Sequence, residues 1–428
     1  MGQVRGISRT IVAAWSRDSR NVAARLRGLR AGLAGVPVVL VAMATPLFAQ
    51  PAAQGREAEI VAAQTAKAGD LKPYEVGKFE KWVNRAEDLA LSGRLHWHPF
   101  FDSAYAGGGF TLGAGYIRHV SSYNTLDVRG SLTPSGYKRM EAEFLAPRLF
   151  NRRGALSVIG GWREATQVGF YGFGTAGTSK DDRANYSFDQ PYAQALLDFR
   201  PTRRLFVLSG GLEISNWDQD SGSGSAPSVD AVYSPATLPG LGASPTYLHS
   251  QAGAALDWRA APGYARTGGY VAVTGHDFAD TDDQFGFRRV DYDVIQHVPI
   301  GRDSWVLSLR GRVETTFVGD GDTIPFFMQP ALGGGSSLRG FASWRFRDRH
   351  SLLMSAEWRV LVNRFLDTAV FYDAGKVASR TSDLDFDGLK SDYGFGFRFH
   401  GPIATPLRIE LAKSNEGLVL VFSAHAPF

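Results

Sequence analysis

Three groups of residues could do chemistry by type and spacing. Gly172-Phe-Gly-Thr-Ala-Gly177 satisfies the G-x-G-x-x-G spacing that lets a backbone approach a pyrophosphate. A dinucleotide site also needs a strand before the glycines and a helix N-terminus after them. Ser179-Lys-Asp-Asp-Arg183 follows instead, with the composition of a loop, so nucleotide binding is not expected. His96 and His98 fall on one face of an extended segment and could chelate a metal. A third ligand is not evident, and a histidine pair at a strand rim is the plainer reading. Asp277, Asp280, Asp282 and Asp283 could bind calcium loosely from a loop. No Ser/His/acid set stands out for a hydrolase. The chain has no cysteine, which excludes thiol catalysis, thiolate metal sites and disulfides. A protein without catalytic residues, metal or cofactor is expected, and not an enzyme.

The elements that hold these residues follow a distinct N-terminus. Residues 1–49 contain seven Arg and one Asp, a net charge of +6 against +4 for the whole chain, so the remainder carries −2. The basic excess belongs to that one segment and gives no support to a nucleic-acid partner. Arginines run as far as Arg30, an apolar stretch extends from Ala31 to Ala49, and Leu47-Phe48-Ala49 suits a signal peptidase. Basic, apolar, small is the secretory order, so 1–49 is expected to be a cleaved signal peptide. Within 50–91, Phe79, Trp82, Val83, Ala86 and Leu89 recur at three- and four-residue spacing, which predicts an amphipathic helix in the periplasm or against the barrel mouth.

From Arg94 onward a period of two takes over. Tyr393, Phe395, Phe397 and Phe399 alternate with Asp392, Gly394, Gly396, Arg398 and His400. Leu352, Met354, Ala356, Trp358 and Val360 alternate with Ser351, Leu353, Ser355, Glu357 and Arg359. Leu407, Ile409 and Leu411 alternate with Arg408, Glu410 and Ala412. A soluble sandwich would alternate too. The segments are about ten residues long, the length that crosses a bilayer tilted, and their polar side mixes Arg and Glu as a wet lumen would. Sixteen such segments are expected over 92–428, the first at 94–103 and the last at 417–428. Long connections follow the fifth, seventh, eleventh and thirteenth, all odd, and those after even strands are mostly tight. That asymmetry predicts an all-β, sixteen-stranded antiparallel transmembrane β-barrel in a Gram-negative outer membrane, both ends periplasmic. Trp and Tyr then form interfacial girdles.

An ordered set of motifs lies in the last hundred residues. It comprises Leu332-Gly-Gly-Gly-Ser-Ser-Leu-Arg-Gly-Phe341, Trp344-Arg-Phe-Arg-Asp348, Glu357-Trp-Arg359, Phe371-Tyr-Asp-Ala-Gly375, Gly401-Pro-Ile-Ala-Thr-Pro-Leu-Arg408 and a terminal Phe428. This set resembles the BamA/TamA-like outer-membrane proteins of the bacterial surface antigen superfamily, closely over those hundred residues and loosely before them. Phe170-Tyr-Gly-Phe-Gly174 resembles loops of members without periplasmic modules. The resemblance implies a loop folded into the lumen, with Arg339, Gly340 and Phe341 at its tip and Glu357 and Asp373 as partners of Arg339. Strand parity allows this, since Glu357 lies opposite Trp358 and Asp373 opposite Tyr372. It also implies an assembly signal at the C-terminus, with Phe428 on a lipid face shared with Phe422, and a seam between first and last strands. Pro99 and Pro427 fall at that seam and remove ladder donors.

Relatives that insert or translocate proteins carry periplasmic modules of roughly 75 residues before the barrel. The 42 residues of segment 50–91 are too few for one. The expectation is a module-less barrel in assembly or transport of protein or lipid, with a passive pore as the alternative. Its expected partners are outer-membrane lipids, the barrel assembly machinery during biogenesis, and a periplasmic protein.

Overall fold

The computed structural model describes residues 96–202, 205–402 and 404–428. The expected signal peptide, the 50–91 helix and residues 92–95 lie outside the described residues.

Strands form where apolar and polar residues alternate, and nineteen are labelled in chain order. The first eight are β1 (Trp97–Pro99), β2 (Leu112–His119), β3 (Thr125–Leu132), β4 (Lys138–Arg148), β5 (Gly154–Phe170), β6 (Ala184–Phe199), β7 (Phe206–Asn216) and β8 (Asp218–Ser221). Then follow β9 (Thr246–Asp257), β10 (Gly268–Asp280), β11 (Phe287–Ile300), β12 (Arg302–Val318), β13 (Ala331–Leu332) and β14 (Phe346–Arg347). The chain ends with β15 (His350–Asn363), β16 (Leu366–Ala378), β17 (Lys390–Phe399), β18 (Leu407–Ser414) and β19 (Gly417–Ser423). Neighbours pair antiparallel in a meander, with β13 and β14 set apart as a two-stranded hairpin. Both β7 and β8 pair with β6, so they form one passage interrupted at Trp217. Among the described residues the wall therefore has sixteen passages, as expected from the sequence. No helix among the described residues is long and apolar enough to cross a membrane.

Burial separates the two readings of the alternation. Val370 and Tyr372 on β16 are 54% and 52% exposed, whereas Phe371 between them and Asp373 beyond them are 5% and 0% exposed. Phe395, Phe397, Trp358, Leu309 and Met140 also point outward, while Arg398, Glu357, Arg310 and Glu141 are buried. A soluble sandwich would place these the other way round. Exposed large apolar side chains recur on the outer face of most strands, far beyond the few hundred Å² of contiguous apolar patch that a soluble monomer exposes. This is the surface a lipid-embedded wall requires. Inside, charges are neutralised in pairs, as where Arg129 contacts Asp127 and Glu143 at 3.0 Å each.

The long connections 171–183, 222–245, 319–349 and 379–389 share one rim. An aromatic cluster fills the mouth there. Phe326 packs 5.1 Å from Phe170 and 4.9 Å from Tyr186, and Phe188 packs 4.9 Å from Trp217. At the other rim connections are mostly tight, and 258–267 is the exception. It turns inward, so that Tyr264 donates its hydroxyl to Asp367 at 2.9 Å and stacks on His400 at 3.9 Å.

Two strand ends differ from expectation. The first strand, expected over 94–103, is a ladder only over 97–99. Pro99 has no N–H to continue it, and beyond Phe100 the chain enters the interior, where Tyr105 stacks on Trp344 at 4.3 Å. The last strand, expected to reach Phe428, ends at Ser423. The Ser423 hydroxyl accepts the backbone N–H of His425, which turns the chain, and Pro427 cannot rejoin a ladder. Phe422 is exposed on the outer face with Leu418 and Leu420. Phe428 does not share that face: its ring lies 6.3 Å from that of buried His297.

Candidate functional site

The connection between β12 and β15 folds into the lumen. Its stem is the β13–β14 hairpin, where Leu332 pairs with Phe346. Its tip is self-supported, because Gly334 N–H donates to the carbonyls of Leu338 and Phe341, both at 3.1 Å. Leu332, Leu338, Phe341, Phe346, Leu353 and Val377 form a small buried cluster that seats it against the wall. Phe341 meets Phe346 edge-on at 5.1 Å.

At this tip Arg339 is 2% exposed and meets carboxylates from three strands. Its Nε and Nη2 donate to the two oxygens of Asp373 on β16 at 2.6 and 2.9 Å, a bidentate fork. Its Nη1 donates to Glu357 on β15 at 3.0 Å and to Glu410 on β18 at 2.8 Å. The guanidinium plane lies 3.5 Å over the Phe371 ring. Phe371 pairs across the ladder with Gly394, where any Cβ would fall 2.5 Å from the ring. Gly340 also needs its bare backbone, since a Cβ there would lie 2.6 Å from the Asp392 Cβ. Its carbonyl accepts the Ser414 hydroxyl at 2.7 Å.

The structure thus brings Arg339, Gly340, Phe341, Glu357 and Asp373 together. It adds residues that the motif reading did not single out. Arg398 on β17 donates to Glu357 at 2.9 Å and to Glu410 at 2.5 Å. Arg408 on β18 donates to Glu410 at 2.7 Å and to the Gly335 carbonyl at 2.7 Å. Arg398 and Arg408 sit directly opposite each other in the ladder, a repulsive pair on its own. Glu410 lies between them and accepts from both, so the loop arginine and two wall arginines share three carboxylates. The signal was present in the alternation: Arg398, Arg408 and Glu410 all fall on the inward parity. None of these groups presents a nucleophile beside a base, and the arrangement is an ion-pair lattice that holds a loop.

The other candidates resolve into local contacts. His98 donates its Nε2–H to the Asp127 carboxylate at 2.8 Å, and His96 hydrogen-bonds the Ile117 carbonyl at 3.0 Å. Asp280 accepts the backbone N–H groups of Gln284 and Phe285, and Asp277 pairs with Arg288 at 2.9 Å. The ends of the wall are joined where His425 meets Asp102 at 2.9 Å. Burial opposes ionisation of Asp102, but the His425 hydrogen bond and the nearby Arg139 and Arg129 hold its carboxyl below the ordinary carboxylate range.

The Omp85 superfamily domain matches residues 72–417 of this chain. The fold is similar to the crystal structure of BamA from Haemophilus ducreyi lacking POTRA domains 1–3, with a TM-score of 0.55 at 15% identity, covering 77% of this chain and 67% of that one. It is also similar to CdiB from Escherichia coli, with a TM-score of 0.52 at 12% identity, covering 76% of this chain and 61% of that one. The chain thus spans less than two thirds of the CdiB length. No curated protein matches the chain by sequence.

Proposed function

This chain belongs to the Omp85 superfamily, an outer-membrane β-barrel by fold, and from that membership we propose that it acts in the assembly or transport of protein or lipid at the outer membrane. The observation that carries this reading over a passive pore is the occupied lumen. A pore needs a continuous wet path. Here Arg339 of the loop is buried against Glu357, Asp373, Arg398 and Arg408 on the inner face of four neighbouring strands, all at 2% exposure or less, and the aromatic cluster fills the mouth. A loop seated by the Arg339 fork, by hydrogen bonds from Arg408 and Ser414 and by a small apolar cluster is a separable part that two states of a barrel can share and exchange. A fixed constriction in a pore would need no such separable part.

On this reading the apolar belt meets outer-membrane lipids, and the barrel assembly machinery is a partner during the protein's own biogenesis. A periplasmic protein that delivers clients is the third partner. The protein does no bond-making chemistry of its own. Conductance of the purified barrel in planar bilayers tests the reading. Rare, brief openings that become frequent in Arg339→Ala support it. Steady conductance of the wild-type protein would overturn it in favour of the passive pore.

A further inference from the structure

The 171–183 connection contains the Gly172-x-Gly-x-x-Gly177 motif, and its position accounts for those glycines. Gly172, Gly174 and Gly177 have φ of +87°, +90° and +77°, a left-handed path that non-glycine residues rarely take. That path carries the chain from the end of β5 over the mouth to strands far along the wall. Gly174 N–H donates to the Arg347 carbonyl at 2.9 Å. The Thr175 hydroxyl donates to the Val377 carbonyl at 2.9 Å and accepts the Val377 N–H at 2.7 Å, at the end of β16. Lys180 donates to the Glu416 carbonyl at 3.3 Å, in the β18–β19 turn.

Arg345 is the crosspiece of this arrangement and is 1% exposed. Its Nε donates to the Glu416 carboxylate at 2.9 and 3.0 Å, and its Nη2 lies 2.7 Å from the same group. Its Nη1 donates to the Thr178 hydroxyl at 3.0 Å and its Nη2 to the Thr178 carbonyl at 2.8 Å. The guanidinium lies 5.0 Å from the Tyr171 ring and 4.6 Å from Phe346. One side chain of the lumen loop thus fastens the 171–183 segment on one side and the terminal hairpin on the other. Arg339 reaches the same hairpin at Glu410, deeper in the lumen.

We propose that residues 171–183 form a strap across the mouth, clasped to the β18–β19 turn through Arg345, so that the strap and the terminal hairpin are released together. Arg345 is a positioning residue in this device. The coupling does not depend on which substrate the barrel serves. It rests on the geometry: the Glu416 carboxylate orients the guanidinium that also donates to Thr178, so neutralising it weakens the hold on both segments.

Hydrogen exchange on the full barrel in detergent micelles tests the coupling, with Gly174 N–H reporting the strap and Glu416 N–H, bonded to Ser414, reporting the turn. Glu416→Gln keeps the shape of the side chain and removes its charge. It should speed exchange at both reporters by about tenfold or more, and Glu416→Asp should restore most of the protection. Gly334 N–H at the deep tip should be unchanged in both variants. Faster exchange at Glu416 alone, or at neither reporter, would overturn the proposal. Should Glu416→Gln not yield a heat-modifiable barrel, Thr175→Val releases the strap from β16 with the clasp residues intact. Faster exchange at both Gly174 and Glu416 then supports the coupling, and a change confined to the strap rejects it.

Discussion

Arg339 and Asp373 are thirty-four residues apart in sequence and joined by two parallel hydrogen bonds of 2.6 and 2.9 Å in the lumen. Both side chains are buried. Taking such charges from water costs several kcal/mol each, recovered only when geometry and partner number are good. Removal of one member leaves the rest of the lattice with an uncompensated charge. The outcome should therefore differ among the partners.

Arg339→Ala should be the most damaging substitution in the lattice, because it leaves Asp373, Glu357 and Glu410 without their shared cation. A loss of about 3–5 kcal/mol applies to a fully buried pair, and a wet lumen lowers it. Limited proteolysis of residues 319–349 in the folded barrel measures it. Asp373→Ala should expose the loop nearly as much. Glu357→Ala should expose it less, since Arg339 keeps its fork. Equal protection in wild type and Asp373→Ala would remove Asp373 as the principal partner.

Arg398 and Arg408 face each other and share Glu410, and Arg398 also pairs with Glu357. Glu410→Gln should destabilise the barrel more than Arg408→Gln, which relieves repulsion while it loses one pair. Thermal loss of heat-modifiable mobility gives the order. The reverse order would show that Arg408 is held chiefly by the Gly335 carbonyl and the loop rather than by charge.

Phe428 lies by His297 in the folded barrel, away from the lipid face that the alternation assigned to it. Its proposed role in assembly therefore belongs to the chain before the barrel forms. Deletion of Phe428 should lower the amount of membrane-embedded barrel, whereas His297→Ala should leave that amount unchanged. If both variants fall equally, the folded-state contact is what matters, and the terminal residue is no recognition signal.

Asp102 and His425 join the ends of the wall, and the carboxyl of Asp102 is held below its ordinary value. A depressed carboxylate stabilises the folded state above its unfolded value of about 4, and that contribution is lost as pH falls through the lower folded value. Protection of the His425 N–H, corrected for intrinsic exchange, should decline only in acid below about pH 4 as Asp102 protonates. Asp102→Asn should reduce it at pH 7. No effect of that substitution would mean that the contact does not hold the tail. Because the chain has no cysteine, a disulfide between Asp102→Cys and His425→Cys is a clean second probe: lost activity on oxidation would show that the two ends of the wall must part in function, and unchanged activity that they need not.

Much of this was legible in the sequence, for physical reasons. A period of two with opposite chemistry on its two faces cannot be satisfied in more than a few ways, so the sixteen passages and their long-loop rim followed from alternation and spacing. Arg339, Glu357 and Asp373 came from motif order, and parity placed both acids inward. The strand ends did not follow. Alternation continues through Ala424 and Ala426, yet Ser423 and Pro427 turn the chain, a local hydrogen-bond choice that period alone does not encode. Glu410 and Arg345 were missed because their partners lie on other strands and loops. Only the register, with Glu410 across from Gly396 and one strand from Arg398, shows that they share charge with the tip.

On the proposed function, a loop locked by Arg339 takes part in moving or assembling other outer-membrane components. The most direct measurement is the protein and lipid composition of outer membranes from a deletion strain carrying wild-type protein, Arg339→Ala or Arg339→Lys, each at equal barrel levels. The expected result is a loss of at least one component in the deletion strain, restored by wild type, unrestored by Arg339→Ala and partly restored by Arg339→Lys. An outer membrane of unchanged composition in the deletion strain, or full restoration by Arg339→Ala, would contradict it.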